Sequence, residues 1–383
     1  MFAERFKKKL MLQRQAGLYR EPPEIKAREG KYIVIGNKKV LNFASNDYLG
    51  LGVSKEIKEK VAENFNKYGS SSSSSRLVSG NYSIILRAEE EYAEHFNYDE
   101  ALFFPSGYQS NLGVLSTLFE KGDTIIFDKH IHASSVKGMT LSKAAYYGYN
   151  HNSLPHLCKR LEGKKGKPAA VLTESLFSMD GDLLDVQAFK ALKKRFGFLS
   201  IIDEAHAFGA MGEKGRGIAR DAADIAVGTF GKALGLFGAF VLLPAGFKEY
   251  LVNFSSPLIY TTTLPEAHAA SAIDILKIVA QREDLRESLY KISAVMKKGL
   301  MDEGFKVKGG AHILALEIGE ENRAAETARR LFEKNIFVFP ARYPTVPVNK
   351  AIFRIGMTAM HTKEDVKYFI DMLKMCLKNN NEY

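Results

Sequence analysis

The chain has 383 residues, 46% of them hydrophobic, and carries 54 Lys and Arg against 44 Asp and Glu, for a formal net charge of +10. This length allows roughly two to three structural units, and the composition excludes extended disorder and fibrous classes. The two cysteines, Cys158 and Cys376, exclude a disulfide-stapled minidomain and cannot build a zinc site alone. The sequence contains no run of about 18 apolar residues, which a membrane span would require. We therefore expect a cytoplasmic protein with no membrane partner.

The N-terminal residues 1–45 are predicted to form an arm and not a domain. Residues 1–20 are rich in Lys and Arg and have apolar residues at helical spacing, and the pair Pro22-Pro23 ends this pattern. Two short extended segments follow, at 32–35 and 40–43.

The region 46–284 is predicted to be a large α/β domain. Its short apolar runs alternate with helical patterns, and several runs are apolar on both faces, as strands of a parallel sheet covered by helices are. The predicted strands are 101–104, 124–127, 169–173, 198–202, 224–227 and 239–243, with helices between several of them, including 108–119 and 186–195. This alternation predicts a mainly parallel wound sheet.

The region 285–383 is predicted to be a smaller α+β domain. One long helical segment, from 266 to about 303, leads into it without a strong breaker. Shorter strands and helices follow, with strands predicted at 312–318, 336–339 and 352–356 and helices at 323–334 and 363–377.

Polar residues follow five of the predicted central strands directly. The segments after these strands are Pro105–Tyr108, Asp128–His132, Glu174–Ser178, Asp203–His206 and Gly228–Lys232. Because ligands of a wound sheet bind beyond the carboxyl ends of its strands, we expect the five segments to converge on one site.

The residue types in these segments match the parts of one cofactor. Ser106 and Gly107 precede a predicted helix, whose N-terminal amides bind phosphate. Lys232 lies among glycines and can form a Schiff base with an aldehyde once burial lowers its pKa. Asp203, a carboxylate expected to be buried, requires a cation, which a protonated pyridine nitrogen supplies. Phosphate, aldehyde and pyridinium together describe pyridoxal phosphate.

Other site types are disfavoured. The letters Asp203-Glu204-Ala205-His206 also occur in nucleic-acid helicases, but Ala226 and Ala233 stand where a P-loop requires a glycine and a Ser or Thr. The helicase interpretation therefore fails, and we expect no nucleic-acid partner. A glycine fingerprint for a dinucleotide cofactor is absent as well. No metal site is predicted, because no carboxylate at ligand spacing accompanies the histidine pairs His130/His132 and His151/His156.

Several long motifs, in the same order along nearly the whole chain, resemble the α-oxoamine synthases. These fold-type-I pyridoxal-phosphate enzymes join a small amino acid to an acyl thioester with loss of carbon dioxide. The motifs are Asn42–Leu51, Arg76–Asn81, Phe104–Tyr108, Glu174, Ser178–Asp182, Asp203–His206, Gly215–Gly217 and Thr229–Lys232.

The resemblance implies a role for each matching residue. Lys232 would bind the cofactor aldehyde and move the amino-acid α-proton, His132 would stack on the pyridine ring, and Asp203 would pair with the ring nitrogen. His206 and Ser178 would bond the ring oxygen. The remaining cofactor-binding residues would hold the phosphate: Ser106, Gly107, Tyr108 and Thr229, with Thr261 and Thr262 from the neighbouring subunit of a homodimer whose active site is shared.

Two segments, Phe43–Gly50 and Arg342–Pro347, resemble the branch of the family that condenses L-alanine with a pimeloyl thioester, carried on coenzyme A or on acyl carrier protein. Sister branches make 2-amino-3-oxobutyrate, 5-aminolevulinate or a sphingoid base, and remain alternatives. The implied substrate-binding residues are Arg354 for the amino-acid carboxylate, Arg20 and Thr345 for the acyl group, and Asn46 and His132.

One segment departs from the family pattern. Serine occupies positions 70–75, where family members usually have several glycines. Because serine tolerates positive φ poorly, we expect a differently shaped loop and an altered acyl preference. A neutral change of the loop sequence is the open alternative.

Overall fold

The computed structural model describes residues 2–16, 18–163 and 169–378. Their contacts divide them into two compact units. The terminal unit consists of the described residues of Met1–Asn46, Met179–Gly181 and Ser288–Tyr383, and the central unit of those of Asp47–Ser178 and Asp182–Glu287. The predicted N-terminal arm and most of the predicted C-terminal domain both lie in the terminal unit.

The strands, in chain order, are β1 Ile25–Glu29, β2 Tyr32–Ile35, β3 Lys38–Asn42, β4 Glu100–Phe104, β5 Thr124–Asp128, β6 Ala145–Tyr149, β7 Ala169–Glu174, β8 Leu199–Asp203, β9 Ile225–Thr229, β10 Ala239–Leu243, β11 Val307–Lys308, β12 Ile313–Gly319, β13 Ile336–Phe337, β14 Phe339–Ala341 and β15 Ala351–Gly356.

The α-helices are α1 Phe2–Gln15, α2 Lys55–Tyr68, α3 Ser83–Phe96, α4 Gly107–Leu118, α5 Ala133–Leu141, α6 Leu154–Glu162, α7 Val186–Phe196, α8 Phe247–Phe254, α9 Ser256–Ile259, α10 Glu266–Ala280, α11 Glu283–Asp302, α12 Glu321–Glu333 and α13 Lys363–Lys378. Short 3₁₀ helices occur at Leu51–Val53 and Glu213–Gly215. Within the described ranges, no helix is both long and apolar enough to cross a membrane.

The central unit contains a seven-stranded sheet in the order β4-β10-β9-β8-β7-β5-β6. The strands β9, β8, β7, β5 and β6 pair in parallel. Strand β10 is antiparallel to both β9 and β4, so β4 runs in the same direction as the parallel strands. The carboxyl ends of β4, β5, β7, β8 and β9 therefore lie at one edge, which confirms the predicted mainly parallel wound sheet.

Burial on both faces explains why these strands have continuous apolar runs. In β8, every residue after Leu199 is buried, and β10 is buried along its whole length. Side chains of β8, β9 and β10, among them Ile201, Ile225 and Val241, pack into one core. Such strands cannot alternate polar and apolar residues, because neither face meets water.

The terminal unit contains two four-stranded sheets, with the orders β1-β2-β3-β13 and β11-β12-β15-β14. The N-terminal strand β3 pairs in parallel with β13, and the amide of Gly356 donates to the carbonyl of Phe43 (2.7 Å). These bonds connect the N-terminal strands to the C-terminal part of the chain.

Two predicted elements were wrong in extent. The single helix from 266 to about 303 is divided into α10 and α11 at Gln281-Arg282. The Arg286 guanidinium accounts for this division, because it donates to the carbonyls of Val279 (2.8 Å) and Ala280 (3.3 Å) near the end of α10. The strand predicted at 336–339 is likewise two strands, β13 and β14, which join different sheets.

Candidate active site

A cavity of about 170 Å³ opens at the carboxyl edge of the central sheet. Its lining includes most of the predicted cofactor residues: Gly107, Tyr108, His132, Ser178, Asp203, His206, Thr229 and Lys232. Asn111, Glu174, Ala205, Val227 and Gly228 complete it. The convergence of five strand ends expected from the sequence is therefore present.

One end of this cavity is formed by the N-terminus of α4. The Ser106 side chain caps the helix, its Oγ accepting from the amide of Gln109 (3.2 Å). The amides of Gly107 and Tyr108 have no helical carbonyl one turn back to receive them. A Cβ added at Gly107 would lie no closer than 3.9 Å to Thr229, so the backbone is open to a ligand. These features fit a phosphate group.

Lys232 is held by a buried hydrogen-bonded pair. Its Nζ lies 2.8 Å from His206 Nε2, and His206 Nδ1 lies 2.6 Å from the hydroxyl of Tyr48, which is fully buried. The Lys232 loop continues into Gly235, whose φ is +69° and where a Cβ would lie 2.7 Å from the amide of Gly52. Only glycine fits this close approach.

Asp203 ends β8 with its carboxylate oriented by two donors. Its Oδ2 accepts from Asn111 Nδ2 and its Oδ1 from the amide of Ala205, both at 2.9 Å. The side chain is largely buried, yet it lines the cavity. A buried anion needs a cationic partner, and the remaining lone pairs of Asp203 fit the N–H of a pyridinium.

His132 precedes α5 and caps it. Its Nδ1 accepts from the amide of Ser134 (3.3 Å) and lies 2.7 Å from Ser134 Oγ. Partial burial lowers the pKa of His132, and the charge of Lys232 acts in the same direction, while Asp203 opposes it. The net effect favours the neutral form of the imidazole.

Glu174 is a cavity residue to which the sequence assigned no role. It ends β7, and its carboxylate accepts from the amides of His132 (2.7 Å) and Ser178 (3.3 Å). It thereby joins the loops that follow β5 and β7. Burial, and then the charge of Asp203, raise the pKa of Glu174. Its position directly after an apolar strand was the available signal.

Asn111 and Tyr48 were also missed. Asn111 lies within α4, and its Nδ2 donates to both Asp203 and Ser134. No local pattern distinguishes it from any polar residue of a helix. Tyr48 lies within the family motif Asn42–Leu51, which was the only signal for it.

Other predicted site residues do not line this cavity. Arg20 and Thr345 line a cavity of about 660 Å³ within the terminal unit. Arg354 is buried in β15, and Asn46 is exposed. Thr261 and Thr262 lie in the central unit, where Thr262 is exposed.

The serine tract has a defined structure. Ser73 adopts a φ of 53°, and its amide donates to Ser71 Oγ (3.0 Å). Ser72 Oγ donates to the carbonyl of Thr263 (2.8 Å), and the amide of Thr263 donates to the carbonyl of Ser74 (3.0 Å). Serine therefore does occupy a left-handed position here, and the tract is bonded to the residue that follows Thr261 and Thr262.

The comparisons with known proteins agree with this geometry. The family model for aminotransferase class I and II matches residues 38–373. Curated 8-amino-7-oxononanoate synthases are similar to the chain. The Chlorobaculum parvum protein is 37% identical over 354 residues, covering 89% of this chain and 90% of the relative. The Haemophilus ducreyi protein is 37% identical over 385 residues, covering 96% and 99%.

Solved structures of related enzymes share the fold. Serine palmitoyltransferase of Sphingomonas wittichii has a TM-score of 0.92 and 28% identity, covering 99% of this chain and 98% of its own. The 8-amino-7-oxononanoate synthase of Francisella tularensis has a TM-score of 0.78 and 30% identity, covering 89% and 99%. The chain therefore belongs to the α-oxoamine synthases of the aminotransferase class I and II family, which are pyridoxal-phosphate-dependent transferases.

Proposed function

We propose that this protein condenses L-alanine with a pimeloyl thioester, releases carbon dioxide and forms 8-amino-7-oxononanoate for biotin biosynthesis. The observation that carries this proposal is the 37% identity to synthases of that name over nearly the whole chain. The cofactor-type cavity of the central unit supplies the chemistry that such a reaction requires.

Pyridoxal phosphate fits the donor set of this cavity. When bound, it supplies an aldehyde for the amino acid and a protonated ring that withdraws electrons from the α-carbon. The first turn of α4 and Thr229 would hold the phosphate, with Thr261 and Thr262 contributed by the partner subunit of a homodimer. Asp203 would accept the ring N–H, and the His132 imidazole would stack on the ring.

Proton movement is assigned to Lys232. Its Nζ would hold the cofactor aldehyde and, as a free amine, would take up the α-proton of alanine. His206, 2.8 Å from Nζ, keeps the amine directed into the cavity. His206 and Ser178 would hold the ring oxygen of the cofactor. Arg354 binds the alanine carboxylate, because its planar fork suits bidentate contact with a carboxylate.

The cavity of the terminal unit supports a pimeloyl group as the acyl chain. Its walls combine apolar side chains, among them Phe332, Phe337 and Phe339, with the cationic Arg20 and Arg342, the hydroxyl of Thr345 and one carboxylate, Glu21. A pimeloyl group has an apolar chain that ends in a carboxylate, so it matches both wall types. An acetyl group offers neither feature, a succinyl group lacks the chain, and a palmitoyl group lacks the carboxylate.

The structural comparison favours one other candidate. The TM-score to serine palmitoyltransferase, 0.92, exceeds the 0.78 to the synthase of Francisella tularensis. That enzyme's name implies L-serine and a palmitoyl donor. Glycine with acetyl-CoA or succinyl-CoA are the corresponding substrates of the other sister branches.

A matrix of substrates separates these candidates. We expect turnover with L-alanine and a pimeloyl thioester, on coenzyme A or on acyl carrier protein, to exceed every other pairing of alanine, glycine or serine with acetyl, succinyl or palmitoyl thioesters. Carbon dioxide release and free thiol measure the reaction. The Lys232→Ala variant, which lacks the amine, should show no turnover and none of the visible absorbance that comes from the bond between the lysine and the cofactor aldehyde. Preference for glycine with acetyl-CoA, or for serine with palmitoyl-CoA, would overturn the proposed substrates.

A further inference from the structure

We propose that Ser134 and Asn111 are positioning residues that join His132 to Asp203 through one chain of hydrogen bonds. This inference rests on the proposed placement of the cofactor between these groups, and it does not depend on the identity of the acyl substrate.

The chain is continuous in the structure. His132 Nδ1 lies 2.7 Å from Ser134 Oγ, and Asn111 Nδ2 lies 3.1 Å from the same Oγ. The same Nδ2 lies 2.9 Å from Asp203 Oδ2. Ser134 is fully buried and Asn111 is 3% exposed, so water does not compete for the two bonds of Asn111, whereas His132 at the end of the chain is exposed.

Donors and acceptors can be assigned consistently along this chain of hydrogen bonds. The Asp203 carboxylate only accepts, so Asn111 must present its amide nitrogen to it. The second hydrogen of that nitrogen is donated to Ser134 Oγ. The hydroxyl hydrogen of Ser134 is then available for His132 Nδ1, which also accepts from the amide of Ser134.

This assignment determines the tautomer of His132. Because Nδ1 accepts from two donors, the proton of the neutral imidazole is on Nε2. His132 therefore meets the cofactor and substrate as a neutral ring with an Nε2–H donor. Asp203 is fixed from the other end of the same chain, so the two groups that contact the cofactor ring are positioned together.

The helix α5 offers a matched control. Ser135 is adjacent to Ser134 and is 1% exposed. Its hydroxyl has no hydrogen-bond partner within the part of the chain that the structure describes. Ser135→Ala thus removes a buried hydroxyl from the same turn without breaking the chain of hydrogen bonds from His132 to Asp203.

The first test measures coupling between Ser134 and Asn111. The apo-protein is titrated with pyridoxal phosphate, and the visible absorbance gives the dissociation constant. We expect Ser134→Ala and Asn111→Ala each to raise this constant about 3- to 10-fold. The double variant should stay within about twofold of the weaker single variant, because either change breaks the same chain. Ser134→Thr, which keeps the hydroxyl, should bind within about twofold of wild type.

The control fixes the meaning of each outcome. Ser135→Ala should bind within about twofold of wild type and should be additive with Asn111→Ala. Losses that multiply in the Ser134→Ala/Asn111→Ala double variant would overturn the proposed chain. A wild-type protein that binds no pyridoxal phosphate would instead overturn the proposed cofactor site, so the two failures are distinguishable.

The second test does not use the cofactor, and its decisive measurement is made on the wild-type protein. In apo-protein labelled with nitrogen-15 at histidine, the His132 signals are assigned by their loss in His132→Gln. We expect the Nε2–H tautomer near pH 7.5 and a mixture of tautomers in Ser134→Ala. A wild-type His132 with its proton on Nδ1 would overturn the inference whether or not the variants fold.

Discussion

Two adjacent carboxylates, Asp203 and Glu204, have different tasks in this molecule. Asp203 faces the cofactor cavity, whereas the fully buried Glu204 accepts from the amides of Ile218 (2.9 Å) and Ala219 (3.0 Å). Successive side chains at the end of a strand point to opposite sides, which separates the two. A Cβ at Gly217 would lie 2.6 Å from Glu204, so the glycines near 215–217 and the second acid of the motif form one loop anchor.

Glu204→Gln tests this anchor. Burial raises the pKa of Glu204 from 4.5 to about 7 in the folded protein. The folded state therefore binds the proton more tightly than the unfolded state, and this contribution to stability is complete below pH 4.5 and lost as pH rises through about 7. Glutamine does not titrate, and its amino group opposes a main-chain amide. We expect the unfolding free energy at pH 6 to fall by about 1–3 kcal/mol.

Denaturant unfolding between pH 5 and 8 measures both effects. Glu204→Gln should lose less stability with rising pH than wild type does, because the titrating group is gone. The exposed Glu249→Gln provides the control and should follow the wild-type curve. An unchanged pH dependence in Glu204→Gln would contradict the raised pKa.

The cavity-lining residues that the sequence predicted share one property. Asp203, Thr229 and Lys232 lie at or just after an apolar strand, where chain order alone indicates proximity to a ligand. Asn111 is different, because its importance lies in which acceptors its amide meets, Asp203 and Ser134, and those contacts arise only when α4 packs beside α5. Local sequence carries no record of that packing.

At the scale of elements, α4 and α5 set the width of the cofactor cavity, since both begin at it. They approach closely at Gly138 of α5, where an added Cβ would lie 2.8 Å from the carbonyl of Asn111 and 2.8 Å from Leu115 Cβ. A side chain here must push the helices apart. Such a shift would move Gly107 and His132, which begin these helices, relative to one another.

Gly138→Ala should therefore weaken both the fold and cofactor binding. We expect the unfolding free energy to fall by about 1–3 kcal/mol, the usual cost of overpacking. The dissociation constant of pyridoxal phosphate should rise, because the phosphate end and His132 no longer keep their spacing. Chemical denaturation and the absorbance titration measure the two quantities.

Gly163→Ala is the matched control for this prediction. Gly163 follows α6 with a φ of −69°, and the atom nearest to an added Cβ there is 3.6 Å away. This alanine should leave cofactor binding unchanged and keep or slightly raise stability. Normal cofactor affinity in a destabilised Gly138→Ala would show that the helix spacing does not control the site.

The sequence predicted the ends of a helix or strand correctly only where neighbouring residues determine those ends. The strand Ala239–Leu243 was predicted to the residue, since its apolar run ends where its burial ends. The break between α10 and α11 depends on Arg286, whose guanidinium reaches back to carbonyls of α10. The separation of β13 from β14 depends on two different sheets. Both features arise from tertiary contacts that periodicity does not encode.

At the scale of the whole molecule, the parallel direction of the strands in the central sheet could be predicted from the sequence. The pairing of strands that are distant in sequence could not. Strands apolar on both faces indicate a parallel sheet with two helical layers. The parallel pairing of Leu41 with Ile336 joins the N-terminal strands to the C-terminal region, and no feature of either short strand specifies the other. The predicted arm is therefore part of the terminal unit.

Part of the net charge of +10 is carried by the exposed helix α1. This helix has five basic side chains, Arg5, Lys7, Lys8, Lys9 and Arg14, against Glu4, and none of its residues is buried. It ends beside the proposed acyl cavity, because Leu18, which lines that cavity, donates its amide to the carbonyl of Gln13 (2.9 Å). Coenzyme A and acyl carrier protein are both anionic, so this helix can attract the thioester donor.

Salt should therefore weaken the binding of the thioester more than the binding of the amino acid. Between 50 and 300 mM salt, we expect the KM for pimeloyl-CoA to rise about 3- to 10-fold and that for L-alanine less than about 2-fold, because screening shortens the range of exposed charges. The variant Lys7→Glu/Lys8→Glu should raise the thioester KM at low salt and reduce its salt dependence. The control variant Lys55→Glu/Lys58→Glu on α2 changes the charge by the same amount. Lys55 forms an ion pair with a carboxylate on its own helix, as Lys7 does. An equal effect of the two double variants would assign the salt dependence to net charge and not to α1.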